Sequence, residues 1–144
     1  MFKLSLLLFF AVGTGMMALG LLYLASNEFM PYHAEAIQAS WTELDANYRG
    51  LFLGFLRGLG GGALVAGYAT SHMAVAGLWK SATPFHALLP IVATGYFSLL
   101  CYATYTVQTN TPGNPPLALA GSGLAVAIVA SILLLMSGRR GVDG

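Results

Sequence analysis

The chain has 144 residues, of which 57% are hydrophobic and 8% are charged, and its formal net charge is +1. Water-soluble domains average about 25% charged residues, so this composition excludes an ordinary water-facing surface. The low charge, without a run of Lys or Arg, also excludes a basic surface for nucleic acid. The single cysteine, Cys101, excludes an intramolecular disulfide and a thiol-pair redox motif.

Four apolar stretches are long enough to cross a membrane as helices. A helix needs about 20 apolar residues to cross the hydrocarbon layer of about 30 Å, and a lone strand would leave its backbone groups unpaired in lipid. The first stretch also has the charged start of a secretory signal at Lys3, but it continues to Ala25 without a clear cleavage site, which favours an uncleaved span. We therefore predict an all-α integral membrane protein, a bundle of four transmembrane helices in one domain over residues 1–144. The predicted spans are 4–25, 51–73, 85–107 and 117–136.

The positions of the basic residues predict the orientation of these spans. The first connection, residues 26–50, contains one base, Arg49, and the third connection contains none. The other connection and the two termini contain Lys3, Lys80, Arg139 and Arg140. Because cytoplasmic segments are enriched in Lys and Arg, we expect both termini in the cytoplasm, a cytoplasmic tail at 138–144, and the first connection outside the cell membrane.

The first connection contains two helix-start signals. Pro31 suits the first position of a short helix, where its missing N–H has no cost, and we expect that helix over 31–39. Ser40 and Glu43 then match a capping box. This box predicts that the second spanning helix begins near Trp41 and extends two or three turns beyond the outer leaflet.

Glycines recur every fourth residue at the start of the second span, at Gly50, Gly54, Gly58 and Gly62. A glycine inside a helix costs about 1 kcal/mol relative to alanine, so this pattern needs a reason. Small residues at this spacing let membrane helices approach closely. The pattern is typical of intramolecular helix packing, of contact with a second copy or another membrane protein, or of a groove for a flat ligand.

Arg57 lies about six residues inside the second apolar stretch. An arginine within a membrane usually faces protein and has a partner. We predict that Arg57 lies beneath the first connection in contact with an acid, either as a structural ion pair or as part of an anion site for a lipid or substrate. Asp45 and Arg49 are the other candidates for that ligand-binding site.

His33, Glu35 and Glu43 are the candidate catalytic residues. Imidazole and carboxylate groups can act as an acid/base pair or bind zinc. However, His33 and Glu35 are two residues apart and would point in different directions on a helix. A histidine at the lipid headgroups is the alternative, and we expect no metal and no other cofactor.

Three strings in this region resemble small, uncharacterised four-span bacterial membrane proteins. They are Phe29-Met-Pro-Tyr-His-Ala-Glu35, Trp41-x-Glu-Leu-Asp45 and Leu56-Arg-Gly-x-Gly-Gly-Gly62. The resemblance covers about residues 28–67 and implies no activity. It implies that the first connection and Arg57 form one unit.

The polar residues therefore leave three functional interpretations open. The first is a non-enzymatic component, either an accessory or complex subunit or a lipid-binding module, whose partners are membrane lipids or another membrane protein. The second is a small enzyme acting on a lipid-like substrate at the outer leaflet. The third is a transporter subunit, although no acid lies within a span to couple ions.

Overall fold

The computed structural model describes residues 1–79 and 84–139, and those residues form helices and turns without a strand. Four of the helices are long and apolar enough to cross a membrane, which agrees with the four predicted spans. Lys80, Arg140 and the predicted tail from residue 140 onward lie outside the described residues. The helices are α1 (Phe2–Ala25), α2 (Pro31–Ile37), α3 (Ala46–Trp79), α4 (Leu88–Asn110) and α5 (Leu117–Arg139), with single 3₁₀ turns at Trp41–Glu43 and Pro84–Ala87.

Helix α1 is the centre of the bundle. It packs along α3 on one side and against α5 on another, while α4 packs mainly against α5. Its Leu6, Phe9 and Met16 are fully buried, and they join Leu89 and Ala93 of α4 in the apolar core. Because α3 and α4 are held chiefly by different neighbours, they have little contact with one another.

Two pairs of glycines bring the backbones of α1 and α3 together. A Cβ atom added at Gly67 would lie 2.6 Å from the Gly13 carbonyl oxygen, and one added at Gly60 would lie 2.8 Å from the Gly20 carbonyl oxygen. In each helix the two glycines are two turns apart, so both pairs lie along one seam. These contacts are closer than any side chain allows, as expected where small residues mediate packing in a membrane.

The four-residue glycine series of the sequence does not form this seam. A Cβ atom added at Gly50, Gly54, Gly58 or Gly62 would have no neighbour within 4 Å. The series therefore does not mediate close packing within the described part of the chain. The Gly13–Gly67 and Gly20–Gly60 pairs do so instead. The reason is geometric: a four-residue repeat drifts around the helix surface, whereas residues seven apart stay close to one line along a neighbouring helix.

The start of α3 also differs from the prediction. The Ser40–Glu43 box is present, with the Ser40 N–H donating to Glu43 Oε2 over 2.7 Å, but it begins only a 3₁₀ turn. Leu44 is then extended, with φ −72° and ψ 142°, and the carboxylate of Asp45 accepts the Asn47 N–H over 2.7 Å. Helix α3 thus begins at Ala46, and its 34 residues rise about 51 Å.

Candidate functional site

A groove of about 640 Å³ lies between α3 and α4, next to the first connection. On α3 its wall includes Gly58 and Gly62, where the missing side chains leave open space. On α4 it is lined from Tyr96 to Val107 by mainly apolar side chains. The volume lies within the range of about 300–1,000 Å³ that is usual for small-molecule sites.

The groove has the depth of one membrane leaflet. Its lining on α4 extends from Tyr96 to Val107, which is about 16 Å at 1.5 Å per residue. That is about half of the 30 Å hydrocarbon layer. The lined stretch of α4 is therefore comparable in length to one leaflet.

Neutral polar groups line the end of the groove at the first connection. The hydroxyls of Tyr23 and Tyr32 are hydrogen-bonded at 2.9 Å, and His33 lies beside them, its ring centroid 4.1 Å from that of Tyr32. Burial, reinforced by the hydrogen bond with Tyr23, raises the pKa of Tyr32 well above its usual range. Burial lowers the pKa of His33. Tyr32 and His33 are therefore both uncharged at neutral pH.

The tautomer of His33 follows from the hydrogen bond that its Nδ1 accepts. The Met30 N–H donates to Nδ1 of His33 over 3.1 Å, at the start of α2. An imidazole nitrogen that accepts a hydrogen bond carries no proton, so the neutral ring has its proton on Nε2. His33 therefore offers a donor, while its Nδ1 fixes the beginning of the short helix.

Two sets of contacts hold the first connection against the bundle. Helix α2 rests on the turn between α4 and α5, where the Asn114 N–H donates to Glu35 Oε2 over 3.2 Å. Phe29 is buried, and its ring lies 5.1 Å from that of Trp41 and 5.4 Å from that of Phe52 on α3. The connection is thus fixed at both sides of the groove, which positions Tyr32 and His33 at its end.

The predicted acids have structural partners and do not line the groove. Glu35 accepts the Asn114 N–H, Glu43 closes the box with Ser40, and Asp45 caps α3. The hydrogen bonds from Ser40 lower the pKa of Glu43, which is fully exposed. The structure therefore does not bring Glu35 or Glu43 together with His33 in the groove.

Arg57 lacks the predicted acidic contact. Its side chain is exposed, and it forms no ion pair or hydrogen bond with any residue in 1–79 or 84–139. The carboxylates of Glu35, Glu43 and Asp45 instead accept backbone N–H groups within the described residues. Arg49, the other predicted base, is half-buried in the first turns of α3.

Three further polar residues line the groove although the sequence analysis did not single them out as site residues. They are Tyr23, Tyr96 and Thr104. In a sequence, tyrosines near the end of an apolar stretch indicate anchoring at the lipid headgroups. Nothing in the spacing of Tyr23 and Tyr32 shows that their hydroxyls meet. That contact requires α2 to fold back over the end of α1.

A second cavity, of about 300 Å³, lies between α1, α4 and α5. Tyr23, Leu100 and Thr104 line both this cavity and the groove. These three side chains therefore lie where the cavity and the groove adjoin.

Comparison with known proteins gives no indication of function. No protein-family model matches the chain, and no curated protein or solved structure matches it either. The function is therefore inferred from the residues and contacts of this chain.

Proposed function

We propose that this protein binds a lipid-like molecule, without catalysing a reaction on it, in the groove between α3 and α4. One observation carries the proposal: an apolar groove of one-leaflet depth ends at the neutral polar groups of Tyr23, Tyr32 and His33. A membrane lipid has the same division into an interfacial polar end and an apolar part.

The ligand comes from the outer leaflet in this proposal. The excess of basic residues at the termini and the second connection supports a cytoplasmic position for both ends. The first connection, and with it the polar end of the groove, then lies on the outer face of the cell membrane. A fluorescent protein that matures only in the cytoplasm, fused to either terminus, tests this orientation: both fusions should fluoresce, and a dark fusion at either end would contradict it.

A binding role is favoured over catalysis by the position of the acids. General acid–base chemistry needs its two groups within hydrogen-bond reach of the reacting atoms. His33 lines the groove, but neither Glu35 nor Glu43 does so. His33 is thus left with hydroxyl groups as its polar neighbours, which suits recognition.

The test is whether a lipid remains bound during purification of the full chain in mild detergent. Native mass spectrometry should detect a stoichiometric lipid on the unaltered protein. Gly62→Leu places a side chain in the groove and should remove that lipid. Gly54→Leu is the matched control, since Gly54 is on the same helix, has open space around it and does not line the groove. Equal lipid retention by the two variants would contradict the proposal.

The exposed face of α3 supports a second candidate function, contact with a second copy or another membrane protein. Gly50, Gly54 and Gly61 surround Arg57 on this face, and a Cβ atom at any of these glycines would have no neighbour within 4 Å. A partner helix could approach closely there and accept hydrogen bonds from the guanidinium. In this case Gly54→Leu should lower the mass of the complex in detergent while Gly62→Leu does not, the reverse of the lipid-binding result.

A further inference from the structure

Among the described residues, the groove is lined by no carboxylate, ammonium or guanidinium group that would compensate a charged ligand. None of the residues that line it within the described ranges is Asp, Glu, Lys or Arg. A buried charge without a partner is strongly unfavourable. The ligand that fits this groove therefore has a neutral polar end, which distinguishes it from a fatty-acid anion and from a phospholipid.

The polar end of the groove provides two hydrogen-bond donors. The Nε2–H of His33 is one of them, because Nδ1 already accepts the Met30 N–H. The Tyr23–Tyr32 pair provides the other, since one hydroxyl donates to its neighbour and the accepting hydroxyl keeps its own proton. Among the described residues, neither proton has an acceptor. A ligand that brings an acceptor to this end of the groove can therefore form two hydrogen bonds there.

Building on the lipid-binding function, we infer that the ligand is a neutral hydrophobic molecule whose polar end is a carbonyl group, bound by His33 and the Tyr23–Tyr32 pair. A carbonyl oxygen has two lone pairs and can accept both hydrogen bonds. The remainder of the molecule fills the apolar length of the groove, where Gly58 and Gly62 leave room for a flat ring or a chain. A quinone ring and the ester of a neutral glyceride share this chemistry.

The experiment compares four defined probes on the full chain, delipidated in detergent, with binding titrated by native mass spectrometry. Decylbenzoquinone and dioleoylglycerol carry neutral carbonyls, decylbenzene lacks one, and dodecanoate is an anion. We expect at least one carbonyl probe to bind about tenfold or more tightly than decylbenzene, as two hydrogen bonds should provide. The carbonyl probe that binds more tightly shows whether the ligand is a quinone or a neutral glyceride.

Substitutions then test the two donors. The double variant Tyr23→Phe/Tyr32→Phe removes both hydroxyls, so it should weaken carbonyl binding about two- to tenfold, the effect of one hydrogen bond, and leave decylbenzene binding unchanged. His33→Gln retains an N–H donor and should keep most of the affinity, whereas His33→Leu should lose as much as the double variant Tyr23→Phe/Tyr32→Phe. Tyr48→Phe is the control, because Tyr48 is 60% exposed and lies outside the groove. The melting midpoint of each variant shows whether it remains folded.

The outcomes separate this inference from the function on which it rests. If decylbenzene binds as tightly as the carbonyl probes, or dodecanoate binds more tightly, the carbonyl inference is wrong while a lipid groove remains. The carbonyl inference is also wrong if the double variant Tyr23→Phe/Tyr32→Phe binds the carbonyl probe as tightly as Tyr48→Phe does. If no probe binds and Gly62→Leu retains the same lipid as Gly54→Leu, both proposals are wrong.

Discussion

The close contact of α1 with α3 makes Gly67→Ala the sharpest test of the packing. The added Cβ atom would lie 2.6 Å from the Gly13 carbonyl oxygen and 2.7 Å from the Met17 amide nitrogen. The shorter distance is 0.8 Å less than the 3.4 Å at which ordinary van der Waals contact begins. Since both atoms belong to the backbone, no side chain can rotate away, and the two helices must separate.

The size of the effect follows from a comparison with Gly54→Ala. Both substitutions gain about 1 kcal/mol of helix propensity, but Gly54 has no neighbour within 4 Å of the added atom. The difference between the two variants is therefore the overpacking term, about 1–3 kcal/mol. We expect Gly54→Ala to be slightly more stable than the unaltered protein and Gly67→Ala to be less stable.

The measurement is the free energy of unfolding in mixed micelles, titrated with sodium dodecyl sulfate and monitored by circular dichroism. Gly15→Ala on α1 is a second control, because its added atom also meets open space. Equal unfolding free energies for the variants at Gly67 and Gly54 would refute the assignment of the seam between α1 and α3.

Three further predictions concern the first connection and the turn between α4 and α5 against which it packs. Asp45→Ala removes the acceptor for the Asn47 N–H and should cost about 1 kcal/mol in the same titration, whereas Asp45→Asn should cost little; equal losses would exclude capping. Because burial lowers the pKa of His33, the unfolded state binds more protons, so stability should be constant above about pH 6.5 and decrease as the pH falls through the lowered pKa. His33→Gln should remove that decrease from the melting midpoints, and an unchanged profile would contradict the assignment. Gly113→Ala places a Cβ atom 2.6 Å from the Tyr32 carbonyl oxygen and should displace α2, so hydrogen exchange of α2 should accelerate; unchanged exchange would show that the turn adjusts instead.

The spans were predictable from the sequence because their signal is local. A run of apolar residues long enough to cross the bilayer must form a helix whatever surrounds it. The start of α3 was not predictable from the same local rules, since two caps follow one another. Ser40 begins a single turn, and Asp45, five residues later, begins the long helix.

The packing and the groove depend on which helices become neighbours. The sequence displays the regular series that includes Gly54 and Gly58, but the seam uses Gly60 and Gly67 because their partners, Gly20 and Gly13, lie on α1. A single helix contains no information about that choice. The groove exists because α3 and α4 are held apart by other contacts, which no local pattern reports.

The central position of α1 has a consequence for the order of assembly during synthesis. Leu6, Phe9 and Met16 belong to α1, which is synthesised before the other helices described, yet their cluster is completed by Ala127 and Ala130 of α5. Domains that need distant segments cannot finish folding until those segments are made. The buried face of α1 therefore stays partly uncovered until α5 has been synthesised.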